Sequence, residues 1–174
     1  MQYIKQGRIS TDEWVHIGAD DDLPAQGNLI APLARWNSSR DALLARENPL
    51  GLRLSSNEAP DLVRADLGRF ALIALEFPIF RDGRAYSYAR LLRGQYGFAG
   101  ELRAVGNVLY DQFSFMHRCG FDAYEVQKDA DAQRFAKALS EFTVRYQPDP
   151  DGSPSILQLR HQPHRNARSA GGRR

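Results

Sequence analysis

The chain has 174 residues, of which 43% are hydrophobic and 25% are charged, and this ordinary globular composition excludes a wholly disordered or fibrous protein. Its net charge of +2 is unevenly distributed, because residues 160–174 hold five arginines and no acid. The preceding residues, with 18 basic and 21 acidic side chains, therefore carry a charge of −3. The basic tail has no interleaved aromatic residues, which argues against a nucleic-acid partner.

The cysteine count and the lengths of the apolar runs indicate the compartment. A single cysteine, Cys119, excludes an internal disulfide framework and any cluster that needs several thiolates from this chain. The first residues lack the apolar stretch of a signal peptide, and no run approaches the roughly 18–20 apolar residues of a membrane span. We therefore expect a cytoplasmic protein that has no contact with a membrane.

Residues 1–48 are predicted to form an N-terminal extension that packs on the core. Within it, residues 4–9 have the pattern of a small hairpin or an edge strand. Residues 20–22 form an acidic turn before the apolar run at 29–33. The two tryptophans of the chain lie outside the repeated region that follows, and we expect them to pack this extension on the sheet.

Residues 49–147 are predicted to form the α/β core, because short apolar runs alternate there with amphipathic segments. Strands that alternate with helices of 10–16 residues predict a three-layer, mainly parallel open sheet built from βα units. The predicted strands are residues 51–54, 71–77, 101–105 and 123–126, and the predicted helices lie near residues 60–69, 84–96, 108–119 and 130–146.

The ends of the predicted helices carry recognisable stop signals. Gly97 and Gly120 are each followed by phenylalanine, and a glycine in the left-handed conformation ends a helix while the next apolar side chain packs back on it. Residues 155–159 predict a short edge strand. Residues 148–174 are otherwise expected to form a disordered basic tail, because they contain few apolar side chains to bury.

Ligands of open α/β sheets bind beyond the carboxyl ends of the strands, near helix N-termini, and four loops take that place: residues 55–60, 78–86, 106–107 and 127–131. The second loop has two guanidinium groups, a carboxylate and a hydroxyl at a strand–helix junction, which suits sulfite, sulfate or a phosphate. A competing interpretation is that Asp82 caps the helix while the arginines pair with acids of neighbouring loops. The candidate anion- or ligand-binding residues are Arg81, Asp82, Arg84, Ser87, Arg90, Arg103 and Asp111.

Three other polar residues have a structural as well as a functional interpretation. Glu76, at the end of a buried strand, is either an acid–base group or the ion-pair partner of Arg103 or Arg53. His117 lies near a helix C-terminus, where the helix dipole favours a positive charge. Cys119, inside an apolar stop signal, is expected to be a small buried hydrophobic residue.

The common cofactor and metal signatures are absent from the sequence. It contains no G-x-G-x-x-G after a strand, no phosphate-binding P-loop and no C-x-x-C. The histidine pair at metal-binding spacing, His161 with His164, lies in the predicted tail. The residues therefore predict no cofactor, no metal site and no assignable catalytic group.

The stretch from Phe77 to Val126 resembles a known bacterial family, domain of unknown function 934. The phrases DGRAYSYARLLR, GELRAVG and RCGFDA carry the resemblance, which extends from about Pro49 to Tyr146. At Asn107 the family more often has aspartate, and either residue can cap the helix that follows.

The resemblance implies a component of assimilatory sulfite reduction. In one role, the protein would be an oxidoreductase or electron-delivery subunit that acts with sulfite reductase, and the sirohaem and the iron–sulfur cluster would belong to that partner. In the alternative role, it would be a non-catalytic accessory protein that docks on the reductase or binds an oxyanion through its arginine-rich strand–helix loop.

Overall fold

The computed structural model describes residues 2–5, 8–79 and 81–126 of the chain. The helices of this part are α1 (Leu33–Ser38), α2 (Arg40–Leu44), α3 (Arg84–Gly94) and α4 (Phe113–Cys119), with 3-10 segments at Pro60–Arg69 and Tyr110–Gln112. The strands are β1 (Gln2–Lys5), β2 (Arg8–Ser10), β3 (Trp14–His16), β4 (Asn28–Pro32), β5 (Leu50–Leu54), β6 (Leu72–Phe77), β7 (Glu101–Gly106) and β8 (Ala123–Val126).

All of these strands join one sheet in the order β2-β1-β8-β7-β6-β5-β4-β3. Strands β3 to β8 run parallel to one another, and β1 pairs antiparallel with both β2 and β8. The prediction of an α/β fold with a mainly parallel sheet is thereby confirmed. The segment that precedes residue 49 contributes four strands of this sheet, including the predicted hairpin of β1 with β2.

The sheet is curled, and chain geometry requires this. Strands β2 and β3 are at opposite ends of the strand order, yet residues 11–13 alone connect them. Four Cα steps span at most about 14 Å, whereas seven interstrand spacings in a flat sheet would span about 34 Å. The sheet must therefore bend until its two edges come close together.

The curl gives the sheet an inner and an outer face, which alternate along each strand. On the outer face, residues such as Leu52, Leu75 and Leu102 pack with the apolar sides of the helices in one large core cluster. In the described part of the chain, the inner face has a small apolar cluster and a set of charged side chains in place of a helix layer. That inner apolar cluster consists of Ile30, Leu72, Ala74 and Val105, with Trp14 packed against it.

Most predicted elements in the described part are confirmed. The four core strands differ from their predicted bounds by at most one residue, and α3 begins at Arg84 as predicted. Gly97 and Gly120 have φ angles of 65° and 107°, so both stop signals are confirmed. The segment Pro60–Arg69 takes the tighter 3-10 form, in which the backbone hydrogen bonds close after three residues. The weak helix formers Asp, Val and Gly interrupt the segment and disfavour a regular α-helix.

Trp36 is buried and its ring lies 4.8 Å from that of Phe70, while Trp14 packs on the inner face, so both tryptophans pack the N-terminal segment as predicted. No helix of the described part is long and apolar enough to cross a membrane. The predicted helix near residues 130–146, the strand at 155–159, the basic tail with its histidine pair and the loop at 127–131 lie outside the described residues.

Candidate ligand pocket at the carboxyl edge of the sheet

In the loop before α3, Arg84 and Asp82 pair with each other. The Arg84 guanidinium lies 2.6 Å from Asp82 Oδ2 and donates to Ser56 Oγ at 2.8 Å. The backbone N–H of Arg84 also donates to Asp82 Oδ1 at 3.2 Å, at the start of the helix. These bonds from Arg84 hold the pKa of the Asp82 carboxyl well below its usual range. Asp82 thus accepts a bond from the first N–H of the helix, as the competing interpretation predicted, but Arg84 pairs with Asp82 of its own loop and not with an acid of a neighbouring loop.

The other predicted site residues are not gathered around this pair. Ser87 and Arg90 are exposed on α3, and Arg81 is exposed in the loop before it. Asp111 is exposed in the second 3-10 segment. Burial raises the pKa of Tyr86 to about 12, and the charges of Cys119 and Asp111 make smaller contributions in the same direction. Binding of an anion by these residues stays a prediction.

Arg103 belongs to a different cluster, on the inner face of β7. Its side chain is fully buried, and its Nη1 lies 2.8 Å from Asp12 Oδ2 and 3.3 Å from Glu125 Oε1. Its Nε donates to Glu101 Oε1 at 2.9 Å, and its guanidinium carbon lies 4.2 Å from the centre of the Tyr3 ring. Arg103 therefore ties β7 to β1, to β8 and to the link at residues 11–13 that leads into β3.

The buried carboxylates of this cluster remain ionised. Burial alone would raise the pKa of Glu101, but the hydrogen bond from Lys5 and the charge of Arg103 outweigh it, so the pKa is lowered. Burial likewise opposes ionisation of Glu125, and the hydrogen bond from His16 together with the charge of Arg103 again lowers the pKa. The cluster around Arg103 is therefore a set of paired charges rather than a neutral interior.

A cavity of about 360 Å³ opens beside this cluster. It lies at the carboxyl ends of parallel strands, which is where ligands bind in α/β sheets. Its volume is near the lower end of the range of about 300–1,000 Å³ that is typical of small-molecule sites. The residues that line it are His16, Arg53, Glu76, Val105, Gly106 and Glu125, and we call this cavity the inner pocket.

Arg53 and Glu76 bring opposite charges to the inner pocket. Arg53 pairs in register with Ala74, so Glu76 lies two residues farther along the neighbouring strand. The structure has no hydrogen bond or ion pair from either side chain to the described residues. The interpretation of Glu76 as an ion-pair partner of Arg53 or Arg103 is therefore wrong, because Arg103 turns to Glu101, Asp12 and Glu125 instead.

His16 is the third polar group of the inner pocket. Its Nε2 lies 2.9 Å from Glu125 Oε1, and its side chain is 32% exposed. The structure records no hydrogen bond at Nδ1 of His16 within the described ranges. A histidine held by a carboxylate on one nitrogen and open on the other can accept or donate a proton at the open position.

A metal ion is the other chemistry that this side of the sheet suggests. Asp12, His16 and Glu125 offer three ligand atoms within 4.8 Å of one another. However, the Nη1 group of Arg103 lies within hydrogen-bonding distance of both Asp12 and Glu125. A guanidinium already compensates these carboxylates, so the donor set does not fit a divalent cation in this arrangement.

The sequence analysis missed His16 and Glu125, and it considered Arg53 only as an ion-pair partner. A signal was nevertheless present. Each of these residues, like Glu76, lies at an inner-face position close to the carboxyl end of its strand. A polar side chain that interrupts an apolar strand near its end, on several strands at once, predicts a common pocket.

A second cavity, of about 400 Å³, lies at the opposite edge of the sheet, where Phe70 precedes β6 and Gly100 precedes β7. Its lining is apolar or backbone apart from Tyr96, whose hydroxyl donates to Asp61 Oδ1 at 2.5 Å. It therefore offers a ligand no uncommitted charged group.

Comparison with known proteins identifies a family and no closer relative. A family described as "Bacterial protein of unknown function (DUF934)" matches residues 51–157. Neither the curated proteins nor the solved structures yield a match. The matched range contains four strands of the described sheet and the residues Arg53, Glu76 and Glu125 of the inner pocket, whereas His16 lies before it.

Proposed function

Since the chain belongs to the DUF934 family, we propose that it serves assimilatory sulfite reduction and binds a small oxyanion of the sulfite class in the inner pocket. The pathway is implied by the resemblance of Phe77–Val126 to that family. The binding role rests on one observation, that Arg53 and Glu76 line a cavity at the carboxyl edge without a partner in the described residues.

The two side chains suit an oxyanion that keeps a proton. An arginine guanidinium can donate two parallel hydrogen bonds to a pair of anionic oxygens. An ionised glutamate only accepts, so it repels a bare oxyanion but receives a hydrogen bond from a hydroxyl group. Hydrogensulfite has both parts, because its unprotonated oxygens can face Arg53 while its hydroxyl donates to Glu76.

The proposed role is that of an accessory protein which holds the oxyanion for sulfite reductase. The reductase then supplies the electrons through its own sirohaem and iron–sulfur cluster. The other implied role is that of an oxidoreductase or electron-delivery subunit. The visible spectrum of the freshly purified protein distinguishes this role from the accessory role. A bound flavin band would favour electron delivery, whereas a colourless protein that co-purifies with the reductase supports the accessory role.

Calorimetric titration with sodium sulfite tests the site. Arg53→Ala removes a charge-assisted pair of about 1.5–3 kcal/mol, so sulfite affinity should fall about 10- to 100-fold. Arg69→Ala is the matched control, because Arg69 is exposed at the end of the first 3-10 segment, away from the inner pocket. Arg84→Ala tests the loop before α3. If Arg84→Ala abolishes binding and Arg53→Ala does not, the loop is the site; if the wild-type protein does not bind sulfite, the proposal fails.

Growth on sulfate as the sole sulfur source tests the pathway. A deletion of this protein should slow growth on sulfate, and Arg69→Ala, but not Arg53→Ala, should restore it. Growth on cysteine controls for general defects, because cysteine supplies reduced sulfur directly. Equal growth of the deletion strain on both sources would refute a role in sulfite reduction.

A further inference from the structure

We infer that the inner pocket takes up one proton together with its oxyanion, and that the proton resides on Nδ1 of His16. This inference rests on the proposed function and adds the way in which the same site is regulated. It concerns the free face of the imidazole, the charges around it and the order in which a proton and an anion can enter.

The hydrogen bond to Glu125 fixes the role of each ring nitrogen. Glu125 is ionised and can only accept, so the His16 Nε2 that lies 2.9 Å from its Oε1 must be protonated. In neutral His16, Nδ1 is then an unprotonated acceptor, which repels an anion in the pocket. Addition of a proton converts Nδ1 into a donor, so that His16, which lines the inner pocket together with Arg53, offers an N–H group at this nitrogen.

The charges around His16 also favour this proton. Three carboxylates and two guanidinium groups face the imidazole, so its surroundings carry a net charge of −1 when the ring is neutral. Glu101 also contacts Arg103, but it is compensated separately by Lys5 at 2.7 Å, so it is not counted among these groups. The facing groups are Asp12 before β3, Arg53 on β5, Glu76 on β6, Arg103 on β7 and Glu125 on β8.

An entering anion therefore adds negative charge to a site that already has an excess of it. A proton on His16 offsets this charge at the point of contact, whereas Glu125 and Glu101 are held ionised by their own partners and do not take it. Glu76, which has no partner in the described residues, is the competing proton acceptor of the inner pocket, and the comparison with His16→Gln decides between the two. The proton comes from the solvent and returns to it when the anion leaves. No bond other than the N–H bond forms or breaks.

Linkage gives the sign of the effect. If the complex holds one proton more than the empty protein and free ligand, the affinity falls tenfold for each unit by which the pH rises. At low pH, where the empty protein already carries the proton, the dependence disappears. The site therefore binds its anion more tightly in acidic than in basic solution.

Calorimetric titration with sulfite, in two buffers of different ionisation enthalpy, measures the number of protons taken up. Because sulfite itself titrates, the quantity of interest is the difference between the wild-type protein and His16→Gln. We expect a difference of about one proton at about pH 8 and little difference at about pH 5.5. His117→Gln, which changes the described histidine on α4, should take up as many protons as the wild type.

A second measurement on the wild-type protein alone follows the imidazole proton resonance of His16. Its titration midpoint should move to higher pH when sulfite is bound, and it should not move with chloride at equal ionic strength. A bound complex in which the midpoint stays fixed, or in which His16→Gln takes up as many protons as the wild type, overturns the inference and leaves the proposed function intact. Failure of the wild-type protein to bind sulfite at any pH overturns both.

Discussion

Replacement of Arg103 by methionine should destabilise the fold by about 3 kcal/mol near neutral pH. Methionine has a similar length and keeps the side chain packed on the sheet, but it removes the guanidinium from three carboxylates. Loss of one partner from a buried ion pair destabilises a protein by about 3–5 kcal/mol. This is a large part of the roughly 5–15 kcal/mol that stabilises a typical domain.

The lower end of that range follows from what each carboxylate retains. The Glu101 side chain is 8% exposed and keeps Lys5, while the Glu125 side chain is 12% exposed and keeps His16. The Asp12 side chain is 27% exposed, so water can solvate it once Arg103 is gone. Two buried carboxylates with one remaining partner each thus replace a compensated cluster.

The effect should also depend on pH in a defined direction. Glu101 and Glu125 have lowered pKa values in the folded protein, so the stability that they contribute is present above the usual glutamate value of about 4.3 and is lost as the pH falls. Without Arg103, protonation of these carboxylates becomes easier. The difference in stability between the wild type and Arg103→Met should therefore be largest near pH 7 and should shrink towards pH 4.

Urea unfolding followed by circular dichroism measures this difference at both pH values, with the slope of the transition checked for two-state behaviour. Arg103→Lys is the companion variant, because lysine keeps the charge but cannot contact several carboxylates at once, and we expect it to lose less than Arg103→Met. A loss below about 1 kcal/mol at pH 7, or an equal loss at both pH values, would show that the cluster does not hold the inner face together.

Two further predictions concern single positions. Gly106→Ala should destabilise the protein by about 1–3 kcal/mol in the same unfolding assay. Gly106 has a φ of 87°, and an added Cβ would lie 2.6 Å from the Phe77 carbonyl oxygen, so unchanged stability would contradict this prediction. Cys119 should react with a thiol reagent only after denaturation, because its side chain is fully buried, and rapid reaction in the native protein would contradict the packing described for α4.

The outer face was the predictable part of this fold. Apolar runs without polar alternation, such as residues 71–75, mark buried strands, and the Gly97 and Gly120 signals mark the ends of helices on local backbone grounds alone. These features depend on neighbours in the sequence, so a single chain reveals them. The same holds for the hairpin of β1 with β2, whose strands are separated by only two residues in the sequence.

The inner face could not be predicted in the same way, because its contacts are remote in sequence. Arg103 meets Asp12 across 91 residues, and His16 meets Glu125 across 109. Neither pair is visible until the strand order is known, and the strand order depends on the curl that the short link at residues 11–13 imposes. The loop with Arg84 attracted the site prediction because its charges are adjacent in sequence, and for the same reason Arg84 and Asp82 pair with each other.

The pairing of β1 with β8 also has a consequence for synthesis of the chain. Strand β1 precedes β8 by more than 100 residues, so the hairpin of β1 with β2 must wait for its partner β8 while the parallel strands between them are made. Contacts of such long sequence separation slow folding, and unpaired strand edges invite association with other chains. The N-terminal hairpin is therefore the last described part of the sheet to dock, and overexpressed protein should be most prone to aggregate before it does so.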